Sequence, residues 1–252
     1  MRQVPHGKTY TLIGSGRLAH HLKHLLTLKG VSFNQWSRNK TTKINTSKLS
    51  IDEALSNSTD ILLAISDDSL PEFISKYKGT HNIIHFSGAY YSEDAVGAHP
   101  LMTFSNNLYE DSFYETIPFI IDQDLQLRDI LGNFSNPYHY IKPELKPLYH
   151  SYCTMSGNFT QILWQSMLNN FQKNINLPSS VLLPFMEKTF ENLKNSEQAL
   201  TGPFVRGDMD TINKHLKTLN NTNENELYKS FLNYFINING ISKLEPLKRE
   251  KK

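Results

Sequence analysis

Between residues 10 and 29 the chain runs from an apolar stretch, Tyr10-Thr11-Leu12-Ile13, through Gly14-Ser15-Gly16-Arg17-Leu18-Ala19 into a segment of helical periodicity. A strand that turns sharply on glycine and re-emerges as a helix constrains the fold more than any other feature. Gly14 permits the tight turn. Gly16 has no side chain to hold a pyrophosphate off the backbone, and Ala19 is small enough for the helix to lie close on the strand. The helix N-terminus then offers unpaired N–H groups and the positive end of its dipole. A further β-like run, Val31-Ser32-Phe33-Asn34-Gln35-Trp36, arrives where a βαβ unit needs one. A glycine pattern alone can be a chance loop. With its strand and helix in place it reads as a dinucleotide site, with Gly14, Ser15, Gly16, Arg17 and Leu18 around the phosphates.

The end of that second run bears on which dinucleotide. A site for NAD usually carries an acid about 20 residues past the glycines, bonded to the ribose hydroxyls. Here the residues are Trp36-Ser37-Arg38-Asn39-Lys40, with no acid. A hydroxyl, a guanidinium and a nearby ammonium suit a 2′-phosphate, and Arg38 can bond it bidentately and stack on the adenine. The competing reading makes Arg38 and Lys40 solvated surface charges; their position favours the phosphate, hence NADP(H).

Beyond this unit, β-like and helical runs alternate. Ser50 with Glu53 predicts a capping box at a helix start. Ile61-Leu62-Leu63-Ala64-Ile65 is a nearly unbroken apolar strand, as a sheet covered on both faces requires. A helix over 69–78 with Pro71 in its first turn follows, then strands over 82–86, 116–121 and 138–141. The expected fold is α/β: an N-terminal Rossmann-type parallel sheet with helices on both faces, followed by an all-α domain. The change to helical periods, punctuated by Pro143 and Pro147, places the domains at 1–143 and 144–252. In such a sheet ligands lie over the carboxyl ends of the strands. Ser66, Asp67 and Ser87 fall there and join the candidate cofactor contacts.

Composition narrows the partners. The 252 residues carry a net charge of +2 with 20% charged residues, which gives no case for a nucleic-acid surface or a basic membrane patch. One cysteine, Cys153, excludes an internal disulfide and fits a reducing cytoplasm; a buried, inert thiol is its expected state. Residues 1–8 lack an apolar signal core, and no run approaches membrane-spanning length. The expectation is a cytoplasmic protein, without a metal site, acting on a small molecule. Lys248-Arg249 read as part of a basic tail.

Three clusters can carry chemistry: His85-Phe86-Ser87-Gly88 followed by His99-Pro100-Leu101-Met102-Thr103-Phe104; Leu148-Tyr149-His150 through Ser156-Gly157-Asn158; and Leu200-Thr201-Gly202-Pro203-Phe204-Val205-Arg206-Gly207-Asp208. On an α-helix His150, Thr154 and Asn158 step by four and share a face. Hydride transfer to a ketone needs a proton donor for the developing alkoxide and a partner for any carboxylate. His150 is a candidate donor, because an imidazole ordinarily titrates near working pH. His99 is a second donor or a packed histidine. Asn158 is a candidate for orienting the substrate, and Arg206 for binding its carboxylate or for pairing with Asp208 in its own loop.

These residues resemble a family that joins a Rossmann-like reductase domain to a helical C-terminal domain long labelled as of unknown function. The likeness runs through the Gly14 turn, Ser37-Arg38, His85 to Gly88, His99 to Phe104, Leu148 to His150, Ser156 to Asn158 and, most specifically, Leu200 to Asp208. The family looks like a branch of the superfamily of 6-phosphogluconate dehydrogenase, 3-hydroxyacid dehydrogenases and pyrroline-5-carboxylate reductase. One of its branches is similar to an alternative ketopantoate reductase, which implies NADPH and the 2-oxo acid 2-dehydropantoate. The superfamily's helical domains imply a homodimer. Its hydroxyacid dehydrogenases commonly place a lysine four residues before the asparagine; here Thr154 stands there, and His150 one turn earlier is the natural substitute.

Overall fold

A computed structural model describes residues 8–38, 50–196 and 199–239; Lys40, Lys248 and Arg249 lie outside the described residues. Seven strands form one sheet: β1 (Tyr10–Ile13), β2 (Phe33–Trp36), β3 (Asp60–Leu63), β4 (Asn82–His85), β5 (Val96–Pro100), β6 (Phe119–Ile121) and β7 (Tyr138–Tyr140). Their order is β2-β1-β3-β4-β5-β6-β7. The chain leaves β1 for β2 on one side and returns to β3 on the other, so the topological switch falls between β1 and β3.

Both faces of the sheet are covered, as the apolar run at β3 requires. Leu12 and Leu62 pack with Leu22, Leu25 and Leu26 of α1 (Arg17–Leu28) on one face. Ile13, Ile61 and Leu63 pack on the other with Leu55 of α2 (Ile51–Leu55) and with Leu70 and Ile74 of α3 (Leu70–Tyr77). Neighbouring residues of one strand thus feed opposite cores. The Ser50–Glu53 capping box forms as the sequence predicts.

The expected parallel sheet needs correction at one edge. The strands β1 to β5 are parallel, but β6 runs antiparallel to β5, with β7 parallel to β6. The connection between β5 and β6 closes like a wide hairpin, with Leu101 N donating to Pro118 O at 2.9 Å. It contains only α4 (Asp111–Tyr114), too short to cross the sheet and return the chain in parallel. A further short helix, α5 (Leu127–Leu131), precedes β7.

After β7 come α6 (Lys146–Thr154), a π-helical segment (Met155–Phe159) and α7 (Thr160–Asn174). The chain forms two compact units, residues 1–164 and 165–252. This division falls later than the change of sequence character near 143, because α6 is tied to the sheet by a buried Lys146–Asp122 ion pair at 2.7 Å. The second unit contains α8 (Leu183–Asn195), α9 (Pro203–Arg206), α10 (Met209–Thr218) and α11 (Asn223–Asn239). Its small core sets Ile212 and Leu232 among Phe204, Tyr228 and Phe235. Among the described residues no helix is long and apolar enough to cross a membrane.

Candidate functional site

A cleft of about 550 Å³ opens over the carboxyl ends of β1, β2 and β3. The turn after β1 forms its floor. Gly14 adopts φ +135°, and a Cβ there would run into the Ala64 carbonyl oxygen, so only glycine fits. The turn is held by Gly14 N donating to Trp36 O at 2.9 Å and by Gln35 Nε2 donating to Gly14 O at 2.9 Å. Gly16 differs: a Cβ there would meet nothing within 4 Å. The space over Gly16 is free for a ligand, and Gly16 caps α1 without a side-chain hydrogen bond to its first turn.

Ser15, Gly16, Arg17 and Leu18 line this cleft with Ser37, Arg38 and Ser66. Among the described residues its lining includes two arginines and no carboxylate. Uncapped helix N–H groups, two cations and backbone open to approach fit a dinucleotide's phosphates. Arg38 also borders a smaller hollow of about 250 Å³ walled by Trp36, Ile65, Phe73 and Tyr77. Asp67 and Ser87 are engaged with each other: Ser87 Oγ donates to Asp67 Oδ2 at 2.7 Å and accepts from the amides of Ala89 and Tyr90. They brace the loop after β4, next in the sheet to the cleft strands.

Beside that loop the structure gathers His99 and His150. A Cβ at Gly88 would lie 2.6 Å from His150 Cδ2 and 3.2 Å from His99 Nε2, so the Gly88 backbone is pressed against both rings. The ring centroids of His99 and His150 are 6.1 Å apart and nearly perpendicular. His99 Nδ1 shares a 2.7 Å hydrogen bond with the Tyr149 hydroxyl. Burial pushes His99 down to about 4, helped by the charges of His150 and Lys146. Burial likewise holds the Tyr149 hydroxyl protonated well above its ordinary range.

Asn158 does not extend this face. The step of four from His150 holds as far as Thr154, where α6 ends; the π-helical turns that follow, through Ser156, Gly157 and Asn158, carry the exposed Asn158 off that line. Ser, Gly and Asn are weak helix formers, so the regular ladder yields there. Cys153 is only partly buried, short of the buried thiol expected. Arg206 belongs to the second unit. Its exposed guanidinium lies 3.9 Å from Asp208, whose carboxylate accepts from Thr211 N at 3.0 Å and so caps α10.

Sequence reasoning missed the buried charges beneath the histidines. Lys146 Nζ donates to Asp122 Oδ2 at 2.7 Å, and Asp122 Oδ1 accepts from Gly97 N at 2.7 Å. His85 is fully buried; its Nδ1 accepts from Ser87 N at 3.3 Å, which puts the proton of the neutral ring on Nε2, 3.9 Å from Asp122. Burial, then the Lys146 charge, pushes His85 down to about 3. Burial also lowers Lys146 from its ordinary value, against the pull of Asp122. The only hint in the sequence was a lysine four residues before the candidate His150.

Residues 121–234 match the family model described as "Domain of unknown function (DUF2520)". No curated protein matches the sequence. Solved structures share the fold. A Bacteroides fragilis protein assigned as an NADP oxidoreductase superposes with a TM-score of 0.69 at 20% identity, covering 90% of this chain and 97% of that one. Pyrroline carboxylate reductase from Plasmodium falciparum, with NADP bound, gives 0.56 at 16% identity, covering 94% and 98%. An imine reductase from Bacillus cereus gives 0.57 at 15% identity, covering 94% and 95%. At these identities the likeness is one of fold: a Rossmann-type sheet followed by a helical region.

Proposed function

We propose that this chain is an NADPH-dependent reductase of a small 2-oxo acid, with 2-dehydropantoate as the leading substrate and pantoate, a precursor of pantothenate and coenzyme A, as the product. The observation that carries this reading is the pairing of the cleft over Gly14 and Gly16, whose described lining holds two arginines and no carboxylate, with two adjacent histidines packed on the loop after the neighbouring strand β4. The cofactor, when bound, supplies a hydride to the substrate carbonyl carbon. The protein contributes the rest. Arg38 and Ser37 select the 2′-phosphate, and the α1 N-terminus holds the pyrophosphate. His150 gives a proton to the developing alkoxide, and His99, fixed by Tyr149, orients the carbonyl. Arg206 is the candidate partner for the substrate carboxylate by its chemistry, and Asn158 for a polar group of the substrate.

A second reading is reduction of a cyclic imine. The depressed His99 favours it: a histidine neutral at working pH is a poor acid, and an imine can arrive already protonated. Both reductases named above as fold relatives act on C=N bonds by their names, which supports the same alternative. The test is a panel of 2-oxo acids, including 2-dehydropantoate, and cyclic imines, scored by loss of nicotinamide absorbance with NADPH and NADH. Turnover of a 2-oxo acid with NADPH supports the lead; turnover of imines alone replaces it. Tight NADPH binding without turnover would make the chain a nucleotide-binding module.

A further inference from the structure

The Lys146–Asp122 pair is costly to bury, and stability alone does not explain it. A buried ion pair replaced by apolar side chains of similar volume is often as stable or more so. What an apolar pair would not supply is direction. Asp122 is oriented by the Gly97 amide on one oxygen and takes the Lys146 ammonium on the other. Gly97 must be glycine, because a Cβ there would occupy the carboxylate's place. Gly97 and His99 are alternate residues of β5 and point to the same side of the sheet. Lys146, Tyr149 and His150 stand at i, i+3 and i+4 on one face of α6. The helix is therefore pinned to β5 at two points, Lys146 through Asp122 and Tyr149 through His99, and the His150 ring lies beside the second.

We propose that Lys146 is a positioning residue: clamped to Asp122, it sets the rotation of α6 that brings Tyr149 to His99 and the His150 ring to Gly88. The proposal rests on the reading of His150 as the proton donor, but its geometry can be tested apart from catalysis. The groups that interact with His99 are His85 from β4 and Lys146, Tyr149 and His150 from α6, with Asp122 after β6 paired to Lys146. Lys146 is the cation among them that does not share the proton traffic of the site, and its charge helps to keep His85 and His99 neutral.

The experiment uses the full chain and the double variant Lys146→Met/Asp122→Asn. Both charges go, while the side-chain amide introduced at position 122 keeps an acceptor for the Gly97 N–H. The first readout is the nuclear Overhauser contact between the His150 ring and the Gly88 α-protons. The second is the NMR titration of His99. The contact is expected to be lost, while the His99 midpoint stays low, since burial is the largest cause of its depression and the ion pair leaves without a net change of charge. NADPH affinity should stay within about twofold, and kcat should fall roughly tenfold or more, as misplaced catalytic groups lose rate while uniform binding is untouched. If the double variant does not fold, Lys146→Arg decides. It keeps the charge on a wider head, so the contact should weaken while the midpoint stays near its original value. A His150–Gly88 contact kept at wild-type strength in the variant that folds overturns the proposal, whatever the midpoint does. If the wild type turns over no 2-oxo acid, the functional reading fails, and the contact and titration still decide the role of Lys146.

Discussion

Gly88→Ala tests the packing of the two histidines with one methyl group. Gly88 needs no left-handed backbone, so the substitution acts through space alone. The added carbon would sit 2.6 Å from His150 Cδ2, 3.3 Å from His150 Cγ and 3.2 Å from His99 Nε2. Ordinary contact begins near 3.4 Å, so the His150 ring must retreat by about 0.8 Å. The retreat falls on the ring's torsions, because Lys146 anchors the helix one turn earlier. A displacement near 1 Å at a reacting group costs about 10²-fold in rate. The expected loss in kcat is therefore about 10- to 100-fold. Overpacking should cost about 1–3 kcal/mol of stability, a fall in Tm of several degrees at roughly 2–4 °C per kcal/mol for a chain of this size. Gly88 does not line the nucleotide cleft, so the NADPH Kd should not move. Steady-state kinetics with the best panel substrate and fluorescence titration of NADPH give the two numbers. A kcat within twofold of wild type would refute the reasoning, since the methyl group cannot be seated without moving one of the two rings.

Gly16→Val should behave in the opposite way: a Cβ there meets nothing within 4 Å, so Tm without ligand should fall only by the loss of a good N-cap residue, about 1 kcal/mol, while calorimetric titration should show NADPH binding abolished. Arg38→Asp should weaken NADPH by roughly 10- to 100-fold, from about 1.5–3 kcal/mol for a lost charge-assisted pair, and leave NADH nearly unchanged; equal losses would end the 2′-phosphate role. His85 and His99, held near 3 and 4 when folded, bind protons in the unfolded chain from about pH 6.5 downward. Their contribution to stability is present above pH 6.5 and is lost as pH falls from there toward 4 and 3, so the urea midpoint should drop steadily between pH 7 and 4.5; a flat profile would contradict their burial as neutral rings. Phe185, Phe190 and Leu193 on α8 and Phe231, Tyr234 and Ile238 on α11 leave half or more of their surface exposed, an apolar display that fits a C2 homodimer; light scattering at micromolar concentration should give twice the chain mass, and a monomer would contradict it.

What the sequence disclosed followed from short-range chemistry. The Gly14 turn, the Ser50–Glu53 box and the apolar β3 run each announce themselves within a few residues. Features that depend on topology stayed hidden. Lys146 looks like part of a proline-bounded junction, and its partner Asp122 lies 24 residues away at the end of another strand. His99 meets Tyr149 across 50 residues; the two motifs were legible separately, and their meeting was not. β5 escaped notice because Gly97 and Pro100 dilute its β-propensity. The π-helical stretch escaped because a period of four is the default for any helix, and only the packed structure shows where Ser156 to Asn158 give it up.

Isotope transfer tests the central claim most directly. The chain would be incubated with NADPH carrying deuterium on the transferable position of C4 and with the best 2-oxo acid of the panel, and the hydroxy acid product analysed by mass spectrometry and NMR. Direct hydride delivery beside His150 predicts deuterium on the former carbonyl carbon, in full yield and from one face only, with the hydroxyl proton drawn from solvent. NADPH that binds the cleft while no labelled hydroxy acid forms with any 2-oxo acid would contradict the account.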